Sequence, residues 1–205
     1  MQALHRAALR LQARAKARIP AAQTLPPLLF VTDPGRTPDP EAVARRLPRG
    51  SAIVFRAFGD TEAVARGRRL AAIARQRGLV LLAGADPALA RAIGAHGVHL
   101  PERLAHRAGT LKRLRPGWLV TAAAHGPAAA RRGFRAGADA VLVSPVFESR
   151  SSSAGRPLGA VRFAALARKA GGPVCALGGV NGSTARRLIG SGAVGFAAVE
   201  ALAKA

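Results

Sequence analysis

One histidine in this sequence has the surroundings of a proton-transfer group. His125 follows three alanines and precedes Gly126, so small residues on both sides leave room for a ligand. An imidazole gains and loses a proton near neutral pH, as general acid/base catalysis requires. We therefore predict that His125 is catalytic, and a helix-capping or surface histidine is the alternative.

A glycine pair predicts anion binding. Gly178 and Gly179 follow a short apolar run, and without Cβ atoms their backbone N–H groups can approach a phosphate closely. Val199 holds a similar place after the last apolar run of the chain. We predict that these three residues bind phosphate through their backbone, and a simple tight turn is the alternative for the glycine pair.

The longest connection between apolar runs is rich in serine. Its hydroxyls at Ser149 and Ser151, together with the charge of Arg150, are candidates for substrate binding. A flexible polar loop without a ligand is the alternative. Carboxylates are scarce, and no closely spaced pair suggests a two-carboxylate Mg²⁺ site.

The other histidines carry weaker signals. His5, His96 and His106 have no special placement, so we expect them on the surface. His99 alternates with apolar residues inside an apolar run. Its side chain is expected either to point into the fold or to pack in the core with a backbone partner.

The elements that would position these residues follow a regular rhythm. Short apolar runs are typical of strands in a buried parallel sheet, and they occur at residues 28–32, 52–55, 79–83, 97–100, 119–122, 140–143, 174–177 and 195–198. Stretches rich in Ala, Leu and Arg predict helices at residues 41–47, 61–77, 87–95, 127–136, 158–170 and 183–191.

Eight strand–helix units in about 180 residues predict an α/β fold, a single compact (β/α)₈ TIM barrel. An open doubly wound sheet is the alternative. We divide the chain into a short basic N-terminal helical extension (residues 1–24) and a barrel domain (residues 25–205). Residues 1–20 show helical spacing of apolar residues; a mitochondrial presequence is the alternative to a plain leading helix.

Composition excludes several classes of protein. The chain has 205 residues, of which 49% are hydrophobic, so wholesale disorder is excluded, and no apolar stretch predicts a membrane span. One cysteine, Cys175, fits a reducing compartment, and we expect a cytoplasmic protein. The net charge of +22 suits nucleic acid, but the basic residues are spread along the whole chain and aromatics are few. We therefore expect no nucleic-acid partner.

In this setting the chain resembles the thiamine-phosphate synthase family, which has a thiazole tautomerase branch. The likeness covers residues 28–202 and is carried by these segments in order: Leu29-Phe30-Val31-Thr32-Asp33, Gly94-Ala95-His96-Gly97-Val98-His99-Leu100, Ala124-His125, Gly137-Ala138-Asp139-Ala140-Val141, Ser144-Pro145-Val146-Phe147 and Ala176-Leu177-Gly178-Gly179-Val180. The resemblance implies a TIM barrel, a phosphate site at the glycine pair, and acid/base chemistry at His125. It also implies that Arg56 binds substrate.

The chain departs from the family where the synthase holds a diphosphate. Around Arg56, a glutamine and a lysine of the family are replaced by Val54 and Phe58. The strand-six motif Thr-x-Thr-Lys reads Ser149-Arg150-Ser151-Ser152, which keeps hydroxyls and loses the lysine. These changes replace polar contacts to a diphosphate.

The metal-binding and neighbouring positions also differ. Where the family has an Asn-Asp pair after strand three, this chain has Gly84-Ala85, although a one-residue shift would place Asp86 there. Leu104, in the segment Pro101-Glu102-Arg103-Leu104, replaces the family's second metal-binding aspartate. Ala123 replaces the family's serine before the strand-five histidine, and Glu200 replaces the family's serine after strand eight.

Three hypotheses follow. The first is a thiazole tautomerase-like isomerase that needs no metal or other cofactor and acts on a thiazole carboxylate phosphate. The second is a synthase that joins a pyrimidine diphosphate to a thiazole phosphate, with Mg²⁺ at a relocated site using Asp33, Asp86 or Glu102. The third is a barrel that binds a ligand or nucleic acid without catalysis. A small-molecule thiazole phosphate is the expected partner, and a homo-oligomer stays open.

Overall fold

A closed barrel of parallel strands forms the centre of the molecule. The computed structural model describes residues 1–16, 18–151 and 155–203. Within them, eight strands pair in chain order and β8 returns to β1. The strands are β1 (Leu28–Val31), β2 (Ala52–Phe55), β3 (Val80–Gly84), β4 (Gly97–Leu100), β5 (Leu119–Ala124), β6 (Ala140–Val143), β7 (Val174–Ala176) and β8 (Gly195–Ala198). The predicted barrel is confirmed, and the open sheet is excluded because β8 pairs with β1.

The strands are apolar on both faces because both faces are covered. Alternate side chains such as Leu29, Val54 and Leu142 fill the inside of the barrel. Their neighbours, such as Phe30 and Ile53, pack against the surrounding helices. Burial on both faces accounts for the short apolar runs in the sequence. The ends of all eight predicted runs agree with those of the observed strands to within two residues.

Helices surround the strands, and the predicted ones are found with one exception. Residues 183–191 form a short 3₁₀ turn, Thr184–Leu188, because nearby Gly190 and Gly192 disfavour an α-helix. Two short helices, α5 and α8, were not predicted from the sequence. The α-helices are α1 (Gln2–Lys16), α2 (Pro40–Arg46), α3 (Ala63–Arg77), α4 (Pro87–Ala92), α5 (Ala108–Leu114), α6 (Pro127–Arg135), α7 (Gly159–Lys169) and α8 (Glu200–Ala203).

The N-terminal helix α1 belongs to this outer layer. Leu4, Ala8 and Leu11 on one face are buried, and the helix contacts β8 and the 3₁₀ turn at Thr184–Leu188. Gln12 fixes its end, since Nε2 donates hydrogen bonds to the carbonyl oxygens of Ala22 (2.9 Å) and Leu25 (2.6 Å). Helix α1 therefore covers the side of the barrel next to β8, where the helical segments before and after that strand are short. In the described residues no helix has the length and apolar character needed to cross a membrane.

Candidate active site

A cavity of about 990 Å³ opens at the carboxyl ends of the strands, where catalytic groups of such barrels lie. Residues that follow all eight strands line it. The structure brings together every residue predicted for the site, namely His125, Arg56, Ser149, Ser151, Gly178, Gly179 and Val199. These residues line one cavity, and the role of each residue stays a prediction.

His125 is held at the rim of this cavity by a carboxylate. Glu102 Oε2 accepts hydrogen bonds from the backbone N–H of His125 (3.0 Å) and lies 2.8 Å from its Nδ1. The other oxygen, Oε1, accepts from Arg132 Nη2 at 3.2 Å. When Nδ1 carries the proton shared with Glu102, Nε2 is left as the nitrogen that exchanges a proton with a ligand.

The charge of Glu102 is maintained by the same contacts. Its partial burial works to raise the carboxyl pKa, but the hydrogen bonds from His125 and the charge of Arg132 outweigh that effect and lower it. Glu102 is therefore an anion at neutral pH, and it orients the imidazole of His125 as a hydrogen-bond acceptor.

The glycine pair follows β7 and lines another part of the cavity wall. Gly178 and Gly179 have φ angles of 90° and 64°, a region that L side chains rarely adopt. A Cβ on Gly179 would collide with the carbonyl oxygen of Glu148, and one on Gly178 would lie 2.8 Å from Pro145 Cα. The glycines are therefore required by close packing against the loop after β6, which also leaves their backbone on the cavity surface.

Arg56 is fixed from several directions at the end of β2. Its Nε donates to the carbonyl oxygen of Thr32 (2.7 Å) and its Nη2 to Asp33 Oδ2 (2.9 Å). Arg36 Nη2 also donates to Asp33 Oδ2 (2.8 Å), and this bond leads the contacts that lower the pKa of Asp33. Two guanidinium groups at the cavity wall thus share one carboxylate, which leaves a local excess of positive charge.

The serine-rich loop after β6 reaches the cavity from a third side. Ser149 Oγ accepts a hydrogen bond from the backbone N–H of Ser151 at 3.4 Å. Residues 152 and 153, which continue the predicted serine cluster, lie outside the described residues. Glu200 faces this region, and its carboxylate lies 4.0 Å from Arg36 and 3.9 Å from Arg150. The negative charge expected to oppose a phosphate is therefore offset by two arginines.

A neutral histidine lies on the floor of the cavity. His99 projects inward from β4, and its Nδ1 lies 2.9 Å from the hydroxyl oxygen of Thr121 on β5. Burial, with a further contribution from the charge of Arg56, lowers the pKa of His99 to about 4. Of the two expectations for this residue, the inward orientation is observed, and its hydrogen-bond partner is a side chain rather than the backbone.

The carboxylates near the cavity do not fit a Mg²⁺ ion. Ala85 has a φ of 63°, a conformation that asparagine adopts more easily than alanine, and Asp86 follows it. Asp86 accepts the N-terminal amides of α4, from Ala88 (2.8 Å) and Leu89 (2.9 Å). Leu104 supplies no oxygen. In the described part of the chain, no three His, Cys, Asp or Glu side chains group as metal ligands.

Sequence reasoning missed two contributions to this site. Glu102 was considered only as a metal ligand, although it follows β4 and His125 follows the adjacent strand β5, so their side chains meet at one edge. Arg36 was not singled out, because it lies several residues beyond the end of β1. In the structure its ion pair with Asp33 holds the guanidinium at the cavity wall. The adjacency of strand ends was the available signal for Glu102.

The fold and cavity define a TIM barrel with the layout of a small-molecule site. A family model described as thiamine monophosphate synthase matches residues 28–202. The chain belongs to this family, as the resemblance of its motifs predicted. It is thus a barrel of the thiamine-biosynthesis type.

Individual relatives agree with this assignment. A thiamine-phosphate synthase of Alcanivorax borkumensis is 29% identical over 85% of this chain and 84% of its own length. A thiamine-phosphate synthase of Chlorobium luteolum is 32% identical over 88% of this chain and 86% of its own length. The solved thiamine phosphate pyrophosphorylase from Pyrococcus furiosus covers 89% of both chains with a TM-score of 0.76. At 23% identity, it supports the fold alone.

Proposed function

We propose that this chain catalyses metal-independent proton transfer on a thiazole carboxylate phosphate, as a thiazole tautomerase-like isomerase. The observation that carries the proposal is the paired arrangement of Glu102 and His125 at the cavity rim, with Oε2 2.8 Å from Nδ1. This pair supplies a base with a defined free nitrogen, and the carboxylates around it are already engaged.

The reaction needs one group that removes a proton and returns it elsewhere. His125 Nε2 takes a proton from a ring carbon, and the resulting imidazolium delivers a proton to the carbon at the other end of the conjugated system. The product is the aromatic tautomer, and no atom or electron is gained or lost overall. Aromatisation supplies the driving force, so placing one acid/base beside the ring is sufficient.

The rest of the cavity suits the remainder of such a ligand. Gly178, Gly179 and Val199 line the cavity, and their backbone N–H groups would bind the phosphate, with Ser149 and Ser151 assisting. Arg56, immobilised by Thr32 and Asp33, would pair with the carboxylate of the substrate.

The second candidate is thiamine-phosphate synthesis, and the names of the relatives favour it over isomerisation. Proteins from Alcanivorax borkumensis and Chlorobium luteolum that align over most of this chain are named as thiamine-phosphate synthases. The donor set argues the other way, because both carboxylate oxygens of Asp33 and of Glu102 already accept hydrogen bonds from the protein, whereas Asp86 accepts the α4 amides through Oδ1.

A pair of assays separates the two candidates. Aromatisation of the thiazole carboxylate phosphate is followed by ultraviolet absorbance without added metal, and thiamine phosphate formation is followed with Mg²⁺. We expect aromatisation by the wild type, and a loss of about 10²- to 10⁴-fold in His125→Ala with phosphate binding retained. His106→Ala, an exposed histidine outside the cavity, is the matched control. Mg²⁺-dependent thiamine phosphate formation without aromatisation would instead establish the synthase.

A further inference from the structure

An aromatic side chain stands exposed at the cavity wall in an uncommon backbone conformation. Phe58, in the loop after β2, has a φ of 49° and retains 67% of its surface exposed. Positive φ is rare for a bulky non-glycine residue and is a feature of turns and of sites held by their surroundings. Other strongly exposed apolar side chains, such as Leu114 and Val161, lie on helices outside the cavity.

The ring of Phe58 is stacked on Arg56. The guanidinium carbon lies 4.8 Å from the ring centroid, within the range of a cation–π contact. Arg56 cannot swing away, because Nε is bonded to the carbonyl oxygen of Thr32 and Nη2 to Asp33. Phe58 and Arg56 therefore form a platform in which a flat apolar surface adjoins a fixed positive charge.

This combination matches one kind of ligand. A fixed guanidinium pairs with a carboxylate or phosphate oxygen, and an aromatic face packs best against another flat π system. An aliphatic anion of the same size would satisfy the charge and gain less from the ring. The cavity wall at β2 therefore favours an anion attached to a planar ring over an anion attached to a saturated one.

We propose that Phe58 is a specificity-determining residue that selects ligands carrying an aromatic ring next to their anionic group. The proposal deepens the proposed function, since the aromatic product of the isomerisation is such a ligand, and it rests on the same cavity. The residue acts by stacking and takes no part in proton transfer.

Two phosphates that differ only in ring character test the proposal. Benzyl phosphate and cyclohexylmethyl phosphate have equal charge and the same number of heavy atoms, and inorganic phosphate reports the anion site alone. Each is titrated by calorimetry into the wild type, Phe58→Leu and Leu114→Ala. Leu114 is a matched control because it is 70% exposed and lies outside the cavity.

The wild type and Leu114→Ala are expected to prefer benzyl phosphate by about three- to tenfold. Phe58→Leu is expected to lose that preference and to keep its affinity for inorganic phosphate within about twofold. The proposal is overturned by a wild type without the preference, or by a Phe58→Leu variant that keeps it. Equal losses for all three ligands in Phe58→Leu would also overturn it, since the ring would then act only by holding Arg56.

The outcome is separable from that of the proposed function. An aromatic preference in a wild type that fails to aromatise the thiazole carboxylate phosphate would uphold the role of Phe58 and refute the isomerase. Aromatisation together with no aromatic preference would do the reverse.

Discussion

The cavity has two sides that are built in different ways. The glycine arc, formed by residues after β6, β7 and β8, presents backbone at Gly178 and Gly179 packed tightly on the neighbouring loop. The side-chain arc, formed by residues after β2, β3 and β4, presents Arg56, Phe58 and Asp86. A side chain on an open wall can change without disturbing the fold, whereas a packed glycine cannot. This difference explains why the packed glycine pair keeps the family pattern, whereas side-chain positions on both arcs, such as Phe58 and Glu200, depart from it.

Replacing a glycine of the glycine arc should produce the largest effect. Gly179→Ala would combine a left-handed backbone with a collision against the carbonyl oxygen of Glu148, which costs about 4 kcal/mol in the free energy of unfolding. Gly94→Ala is the matched control, since its φ of 65° is almost the same and no atom lies within 4 Å of the added Cβ. It should cost only about 1–2 kcal/mol.

Urea unfolding of the two variants measures the difference directly. Equal destabilisation would mean that the glycine arc is not constrained by packing, and the contrast between the arcs would disappear. A stable Gly179→Ala protein that no longer binds phosphate would instead show that the glycine serves the ligand rather than the fold.

The floor beneath both arcs should make stability depend on pH. The pKa of His99 is about 4 in the folded protein against an ordinary value of 6.5. Between these values the unfolded chain binds a proton that the folded chain does not, so stability falls as the pH is lowered from about 6.5 to about 4. The loss should reach about 3 kcal/mol below that window.

The contribution of this single group can be isolated. His99→Gln should unfold in urea with a smaller difference between pH 7 and pH 4.5 than the wild type shows. His106→Gln, at an exposed residue outside the cavity, should leave the wild-type difference intact. A His99→Gln protein with the full wild-type difference would assign the acid sensitivity to another group.

A smaller effect is expected where the side-chain arc meets His125, the proposed catalytic residue. Glu102→Gln keeps a hydrogen-bonding group beside His125, but its amide can also donate to Nδ1 and so stabilise the tautomer protonated at Nε2. Turnover should fall about tenfold, equivalent to about 1.4 kcal/mol. The ¹⁵N chemical shifts of the imidazole report the tautomer independently of activity.

The matched variant removes only the outer partner of the same carboxylate. Arg132→Gln breaks an exposed ion pair, which is worth about 0–1 kcal/mol at most, and should leave both the tautomer and turnover close to the wild type. If Glu102→Gln changes turnover without changing the tautomer, the carboxylate does not act by orienting the imidazole.

The fold was predictable from sequence because its signal is local and repeated. Each strand is a short run buried on both faces, and the pattern occurs eight times. Helix α8 was missed because it spans only four residues, and α5 because it continues a 3₁₀ turn at Glu102–Arg107 with no side-chain cap at its start. The 3₁₀ turn at Thr184–Leu188 was misassigned because nearby glycines override its helical composition.

The site was predictable in part. Residues directly after a strand, such as His125 and Gly178, were found because the end of a strand fixes their position. The Glu102–His125 contact joins segments that follow the neighbouring strands β4 and β5, and the Arg56–Asp33 pair joins segments that follow β2 and β1. That information lies in the closure of the sheet, and no single segment of the sequence contains it.

The smallest effect is expected from Mg²⁺, and it tests the side-chain arc most sharply. A site with a Kd of about 100 µM would stabilise the protein by about 2.7 kcal/mol at about 10 mM Mg²⁺. For a chain of this length, that stabilisation would raise Tm by about 5–10 °C. Because Asp86 caps α4 and Leu104 supplies no oxygen, we expect a rise below about 1 °C over KCl of equal ionic strength.

The Asp86→Asn variant tests whether any effect of Mg²⁺ depends on this carboxylate, because asparagine can still cap the helix while removing the carboxylate charge. A large Mg²⁺-dependent rise in the wild type that vanishes in Asp86→Asn would place a metal on the side-chain arc. The synthase would then become the better proposal. A rise below about 1 °C in both proteins would mean that this arc holds its ligand with arginine and an aromatic ring instead of a cation.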